Sequence, residues 1–314
     1  VLETGNYEEF YYLTNGDLGP GIHVFKFTET GGFFFFNVIT FYPLPKRMVP
    51  LRVAVSEDYI AVTSTGQSGV FLINKNNQST KILDESLFDG TPMDVDFKGD
   101  GSILCVGHSY AGGYSSVGGF NLINMNTFNK INVFRDTTII FDSSIVISPD
   151  GRFVAFIGTE LGSLAKPILF DTIVDDYVSL PPISIESLGG VGVPRFITEV
   201  FLTNTRLYVA HTGNGYSVYD ISGVPTLLAS EMFKDVFVAY RTRIHQKNGF
   251  IVVSNQDIVD SEKVTIRLFS DSSLTYIANS EIVVPVDGIT RGVYFTQSVF
   301  YGGNHFVNIY AGGS

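Results

Sequence analysis

Histidine changes charge nearest to neutral pH, and three of the five histidines in this chain fall in similar contexts. His108 in "VGHS" and His211 in "VAHT" close apolar runs, and His305 in "GGNHF" occupies the matching stretch of the last such run. Brought to one side of a folded chain, three histidines could hold a metal ion or supply a general base. Equivalent places in an internal repeat explain His108 and His211 more simply. No metal and no catalytic residue is therefore assigned, and the two histidines stand as candidates for a binding surface. His23 and His245 lie inside strand-like runs.

The longest gap between paired apolar runs is "HSYAGGYSSVGGF", His108 to Phe120, which sets Tyr110 and Tyr114 among Gly and Ser. Recognition loops favour that mixture: Tyr gives rigid amphipathic contact area, and Ser and Gly give adaptable hydrogen bonding. A solvated loop without a partner has the same composition. A second long connection, "PPISIESLGGVGVPRF" from Pro181, brings Arg195 to the start of an apolar strand, and Arg241, Arg243 and Arg291 occupy comparable strands later in the chain. Arginines there must line a wet channel, pair, or bind an anion, because an isolated buried charge is costly. Carboxylates in "IVDDYV" (Asp175, Asp176) and "NQDIVDSEK" (Asp257, Asp260, Glu262) sit in turn-like stretches, where Asp caps backbone N–H groups. Neither stretch has the ligand spacing and central Gly of a calcium loop. Gly-x-Ser-x-Gly, His-Glu-x-x-His and phosphate-loop signatures are absent, and no cofactor is expected.

The elements that must position these residues are strands. Val, Ile, Phe, Tyr and Thr dominate, and Gly, Asn, Asp or Ser clusters recur every several residues. One unit returns seven times: a strand, a polar gap, then a strand ending in an aromatic or apolar residue followed by Asn, Asp or Ser. Examples are "YIAVTSTGQSGVFLIN" from Tyr59, "FVAFIGTELGSLAKPILFD" from Phe153 and "LYVAHTGNGYSVYD" from Leu207. Apolar strands precede each pair ("LRVAV", "MDVDF", "SIVIS") and follow it ("TKIL", "KINVF", "TLLA"). Four antiparallel strands per unit predict an all-β, seven-bladed β-propeller filling residues 1–314 as a single domain. "KGDGS" and "SPDGR" place Asp-Gly between first and second strands, where positive φ is wanted. "VLET" could serve as the inner strand of the first unit or the outer strand of the last. "GGFFFFNVITF" is expected as the outer strand of the first blade, with Phe33–Phe36 covered by neighbouring blades, the "FYPLP" segment or a partner subunit.

The 314 residues are 45% hydrophobic and 16% charged, with a formal net charge of −11. That composition folds, and its acidity argues against nucleic acid and anionic membrane surfaces as partners. No apolar run reaches bilayer-spanning length, so no membrane insertion is expected. Cys105, the single cysteine, is expected as a buried hydrophobe. Val1, in place of an initiator Met, is read as a processed or excised start.

"VISPDGRFVAFIG" from Val146 resembles the first half of a blade in WD-repeat and YVTN-type propellers, with Phe170-Asp171 and Tyr219-Asp220 at the place of the WD dipeptide. The chain has no Trp and no Gly-His dipeptide introducing each blade. "LYVAHTGNGYSVYDIS" and "VYFTQSVFYGGNHFVNIY" look most like degenerate propeller repeats of tailed-phage virion and tail-fibre proteins. That resemblance implies a virion or extracellular location and a non-enzymatic role, as a tail-fibre or decoration module touching another virion protein, a cell-surface protein or a glycan. The alternatives are a lactonase-like hydrolase using His211 and Arg195 at a central pocket, and a cellular peptide-binding scaffold.

Overall fold

The computed structural model describes residues 2–3, 9–14, 20–30, 33–46, 48–64, 69–88, 90–109, 118–136, 139–160, 166–182, 197–211, 215–232, 239–247, 249–257, 263–283, 290–301 and 304–313. They form an all-β chain of antiparallel sheets, each a meander in chain order. The first sheet holds β1 (Leu2–Glu3), β2 (Glu9–Thr14), β3 (Gly21–Thr30) and β4 (Phe33–Pro43). The second holds β5 (Pro50–Val55), β6 (Tyr59–Ser64), β7 (Gly69–Asn74) and β8 (Thr80–Asp84), followed by one short 3-10 turn. The third holds β9 (Thr91–Phe97), β10 (Ile103–Ser109), β11 (Gly118–Asn124) and β12 (Asn129–Asp136). The fourth holds β13 (Ile139–Ile147), β14 (Phe153–Glu160), β15 (Lys166–Asp171) and β16 (Asp176–Val178). The fifth holds β17 (Ile197–Leu202), β18 (Arg206–His211), β19 (Gly215–Asp220) and β20 (Thr226–Met232). The sixth holds β21 (Ala239–Lys247), β22 (Phe250–Asp257), β23 (Lys263–Ser270) and β24 (Tyr276–Val283), and the last described pair is β25 (Thr290–Tyr301) with β26 (Asn304–Gly313). The chain divides into two compact units, one of residues 1–152 with 158–161 and one of 153–157 with 162–314.

Within the first unit, alternate side chains of one strand enter different cores. Ile60 and Val62 of β6 pack with Ile22, Val24, Val53, Phe71 and Ile73. Ala61, between them, packs with Val70, Leu72, Val95, Leu104 and Val106. A strand covered on both faces needs no polar alternation, which is why second and third strands read as unbroken apolar runs. Within the second unit, Tyr208, Tyr216, Val218, Ile251, Val253 and Phe269 form the matching layer between the fifth and sixth sheets.

The residue that ends each third strand has a structural reason to be Asn, Asp or Ser. Gln78, Phe128, Asp175 and Leu274 donate N–H to the carbonyls of Asn74, Asn124, Asp171 and Ser270 at 2.7–2.9 Å. Each of those four donors sits at φ 56–60°. Left-handed backbone is unfavourable for a residue with a Cβ, and side-chain bonds hold it in place. Asn74 Oδ1 accepts from the amides of Asn76 and Asn77, Asn124 Oδ1 from Asn126 and Thr127, and Asp171 Oδ1 from Ile173 and Val174. The residue after each cap then donates to the turn between first and second strands: Lys75 to Asp58, Met125 to Ser102, Ile221 to Thr205, Asp271 to Gly249. The two Asp-Gly turns also form as expected, with Gly101 at φ 70° and Gly151 at φ 80°. One end of the sheets is thus built from short, mutually bonded turns. The longer connections, 110–117 and 183–196 among them, leave the opposite ends.

Both ends of the chain refine the sequence reading. "VLET" contributes β1, which pairs with β2 through Leu2↔Tyr12 and Glu3↔Tyr11, and so serves as the inner strand of the first sheet. "FFFFNVITF" lies in β4, the outer strand of that sheet, as expected; Gly31, Gly32 and the Phe33–Phe36 side chains lie outside the described residues. In the last copy the repeat's first and second strands run together as one, β25, with irregular register at Phe295/Gln297. Thr296-Gln297 carries no Gly, Asn or Asp to turn the chain, so the backbone continues extended.

Candidate functional site

His108 and His211 occupy one structural position. His108 is the last but one residue of β10 and His211 the last of β18; each pairs with a glycine, His108↔Gly119 and His211↔Gly215, and a polar residue follows two places along each third strand, Asn121 and Ser217. Both rings are buried, at 1% and 5% exposure, so neither is displayed on a surface. His211 Nε2 lies 2.9 Å from Ser217 Oγ, and the Ser217 hydroxyl donates to Ser230 Oγ at 3.0 Å. The imidazole, Ser217 and Ser230 thus form one buried hydrogen-bonded chain, in which the His211 tautomer sets whether Nε2 donates or accepts.

Burial lowers the His211 pKa to about 4. The folded state therefore binds this proton less readily than the unfolded chain, and stability falls as pH drops from about 6.5 towards 4. His211→Gln should flatten that part of a stability–pH curve measured by urea unfolding. Retention of the wild-type acid slope would show that His211 does not set it.

The remaining candidates distribute as follows. Tyr110, Tyr114 and Arg195 lie outside the described residues, as do the side chains of Arg241, Arg243, Arg291, His305 and Asp257, and all of Asp260 and Glu262. His23 packs at a tilt against Phe41, at a centroid distance of 4.7 Å, and His245 meets Phe201 edge-on at 4.8 Å, which are packing roles. Asp175 closes its turn through its backbone at φ 60°, and Asp176, the first residue of β16, accepts from the Tyr177 amide through Oδ1. Among the described residues, no three His, Cys, Asp or Glu side chains gather into a possible metal site.

Two carboxylate clusters escaped the sequence reading. On β9, Asp94 and Asp96 point to the same side, two residues apart, with Arg52 Nε 3.8 Å from Asp94 Oδ1. Burial raises Asp96 to about 7, with the Asp94 charge adding to the rise against amide donors from Ile147 and Phe97. Cys105, opposite Asp96 in the ladder, is pushed well up by burial and then by both carboxylates, so this thiol stays protonated and inert. In the second unit, Asp271 accepts from Arg206 Nη1 and Tyr208 Oη at 2.7 Å each and from Gln246 Nε2 at 3.1 Å. Burial, reinforced by Asp271, lifts the Tyr208 phenol above its ordinary range. The "MDVDF" run carried the first signal: charged residues at alternate places on a first strand must meet a partner. Asp271 carried none, since its partners come from strands distant in sequence.

No protein-family model matches the chain, and no curated protein matches it significantly. Solved structures do. A prolyl endopeptidase is similar over the whole chain and half of its own length, at TM-score 0.60 and 9% identity. A β-propeller domain from Myceliophteria thermophila is similar over 90% of this chain and 86% of that one, at TM-score 0.58 and 9% identity. Hydrazine synthase from Kuenenia stuttgartiensis is similar over 83% of each chain, at TM-score 0.57 and 13% identity. Likeness at this identity is one of fold: the chain is an all-β protein of the β-propeller class.

Proposed function

We propose that the chain is a seven-bladed, non-enzymatic binding module that meets its partner at the ends of the sheets carrying the long connections, with Tyr110 and Tyr114 as contacts. The contrast between sheet ends is the observation behind this reading. One end is tied by the repeated bonds from Lys75, Met125, Ile221 and Asp271 to the preceding turns. At the other end the chain departs through connections free to vary in length and composition, where recognition residues are placed in folds of this kind. His108 lies near the end of β10, just before the connection that carries Tyr110 and Tyr114. The likeness of the repeats to phage tail-fibre sequences favours a virion protein, with another virion protein, a cell-surface protein or a glycan as partner.

A photo-crosslinking phenylalanine at position 110 or 114 tests the proposal on the particle or cell surface that carries the chain. Adducts from these positions are expected, and far fewer from the same probe at Val224, which is 88% exposed on a tight turn. Stronger crosslinking from position 224 would overturn the surface assignment. Lactone hydrolysis abolished by His211→Gln would overturn the non-enzymatic reading.

A further inference from the structure

A first strand has a ladder partner on one side only, so every second amide along it needs another acceptor. β13 is bonded to β14 alone and β21 to β22 alone within their sheets. Ile145 N donates to Asp94 Oδ2 at 2.9 Å, and Ile147 N donates to Asp96 Oδ2 at 2.8 Å. The two bonds keep the same spacing, i and i+2 on β9 meeting i and i+2 on β13. The other oxygens, Asp94 Oδ1 and Asp96 Oδ1, accept at 2.9 Å from the amides of Val95 and Phe97 on their own strand. Each carboxylate therefore bridges two backbones. In the second unit, Glu199 Oε2 of β17 accepts from Ile244 N of β21 at 2.8 Å, repeating the device with one contact instead of two.

We infer that Asp94 and Asp96 form a two-point, proton-sensitive latch holding the free edge of β13 to β9, and that Glu199 is its single-point counterpart between β17 and β21. The inference is independent of the binding reading. Among the described residues, the ionisable groups facing the pair are Arg52 from β5 and Cys105 from β10, with the Ile145 and Ile147 amides supplied by β13. Arg52 pairs with Asp94, and burial beside the Asp94 charge makes Asp96 tend to hold a proton.

Protonation acts on the latch and on the whole fold with opposite signs. A neutral carboxyl accepts N–H bonds more weakly than a carboxylate, so the Ile147 amide opens more readily once Asp96 takes up its proton. The folded Asp96 pKa, about 7, lies above the ordinary carboxyl range of the unfolded chain. Its contribution to global stability is therefore fully present in acid and is lost as pH rises to about 7. Burial of a carboxyl is enough for the second effect; the first requires the bond from the Ile147 amide.

The test is amide hydrogen exchange on the full chain at pH 5 and pH 8, corrected for intrinsic rates, alongside urea unfolding at the same pH values. In the wild type, Ile147 exchange is expected to be several-fold faster at pH 5. Asp96→Ala should accelerate Ile147 about tenfold at pH 8 and lower the pH 5 midpoint relative to the pH 8 one, so that the acid loss assigned to His211 stands out. Glu199→Ala should do the same to Ile244 exchange, leaving Ile147 untouched. Unchanged exchange at these amides in the variants, or an unaltered pH dependence of the midpoint in Asp96→Ala, would overturn the latch. Should Asp96→Ala fail to fold, wild-type Ile147 exchange followed alongside the Asp96 carboxyl resonance decides: exchange that accelerates as the carboxyl takes up its proton supports the latch, and exchange that ignores that titration overturns it.

Discussion

Asp271→Ala is expected to lower the unfolding free energy by about 2–4 kcal/mol, more than any other single polar deletion on the second unit's turns. The carboxylate collects three donors from two sheets: the Arg206 guanidinium and Tyr208 hydroxyl on β18, and Gln246 on β21. Arg206 also donates to the Asp271 backbone carbonyl, so the guanidinium is held at two points. Removing the carboxylate leaves that cation, 25% exposed, to the weaker field of Asp220, and takes away the acceptor of the Tyr208 hydroxyl. The exposure places the effect below that of a fully buried pair. Tyr208→Phe, which removes one donor and keeps the ion pair, should lose about 1 kcal/mol. Urea unfolding of both variants checks the ordering, and a loss in Asp271→Ala no greater than in Tyr208→Phe would show that the hub is ornamental.

The contrast between Asp271 and Asp171 shows where reading from the chain alone stops. Asp171 is legible because its job is local: it ends a third strand, caps the next turn through amides two and three residues on, and recurs as Asn74 and Asn124. Repetition turned that local chemistry into the blade pattern, and the pattern into the fold class. Asp271 follows an equivalent cap, Ser270, and in sequence looks like one more turn carboxylate. Its partners lie 25 to 65 residues away. Nothing periodic marks them, because the hub occurs once. The latch carboxylates fall between these cases. "MDVDF" announces two charges on a first strand, but their acceptor role depends on which amides the next sheet turns towards them, and that is a matter of register.

The histidines show the same limit from the other direction. Their equivalence was legible in "VGHS" and "VAHT", whereas their burial was not, because a His near the end of a strand can point to solvent or into the layer between sheets. The glycine opposite decides it. A Cβ on Gly119 would lie 2.2 Å from the Phe134 carbonyl oxygen and 3.0 Å from His108 Cε1. The absence of that atom lets β12 close on β11 while the His108 ring folds over the same spot.

Gly119→Ala is accordingly expected to cost about 3 kcal/mol, at the upper end for inserting a single methyl group, because the atom in the way is backbone and cannot rotate aside. The ladder would have to open between β11 and β12, where Gly119 pairs with Arg135 and Phe120 with Phe134. Phe120 and Phe134, stacked at a centroid distance of 5.2 Å, would be pulled apart with it. Gly223→Ala is the matched control: nothing lies within 4 Å of its added Cβ, and its effect should stay within about 0.5 kcal/mol. Urea midpoints give the energies, and the His108 ring resonances report whether the imidazole leaves its place. The same variant joins stability to recognition. β10 and β11 anchor both ends of the Tyr110–Tyr114 connection, so displacing His108 and Gly119 should also weaken crosslinking from position 110 at temperatures where the protein remains folded. A folded Gly119→Ala protein with a displaced His108 ring and undiminished crosslinking would separate the connection from its base and place the contact surface elsewhere.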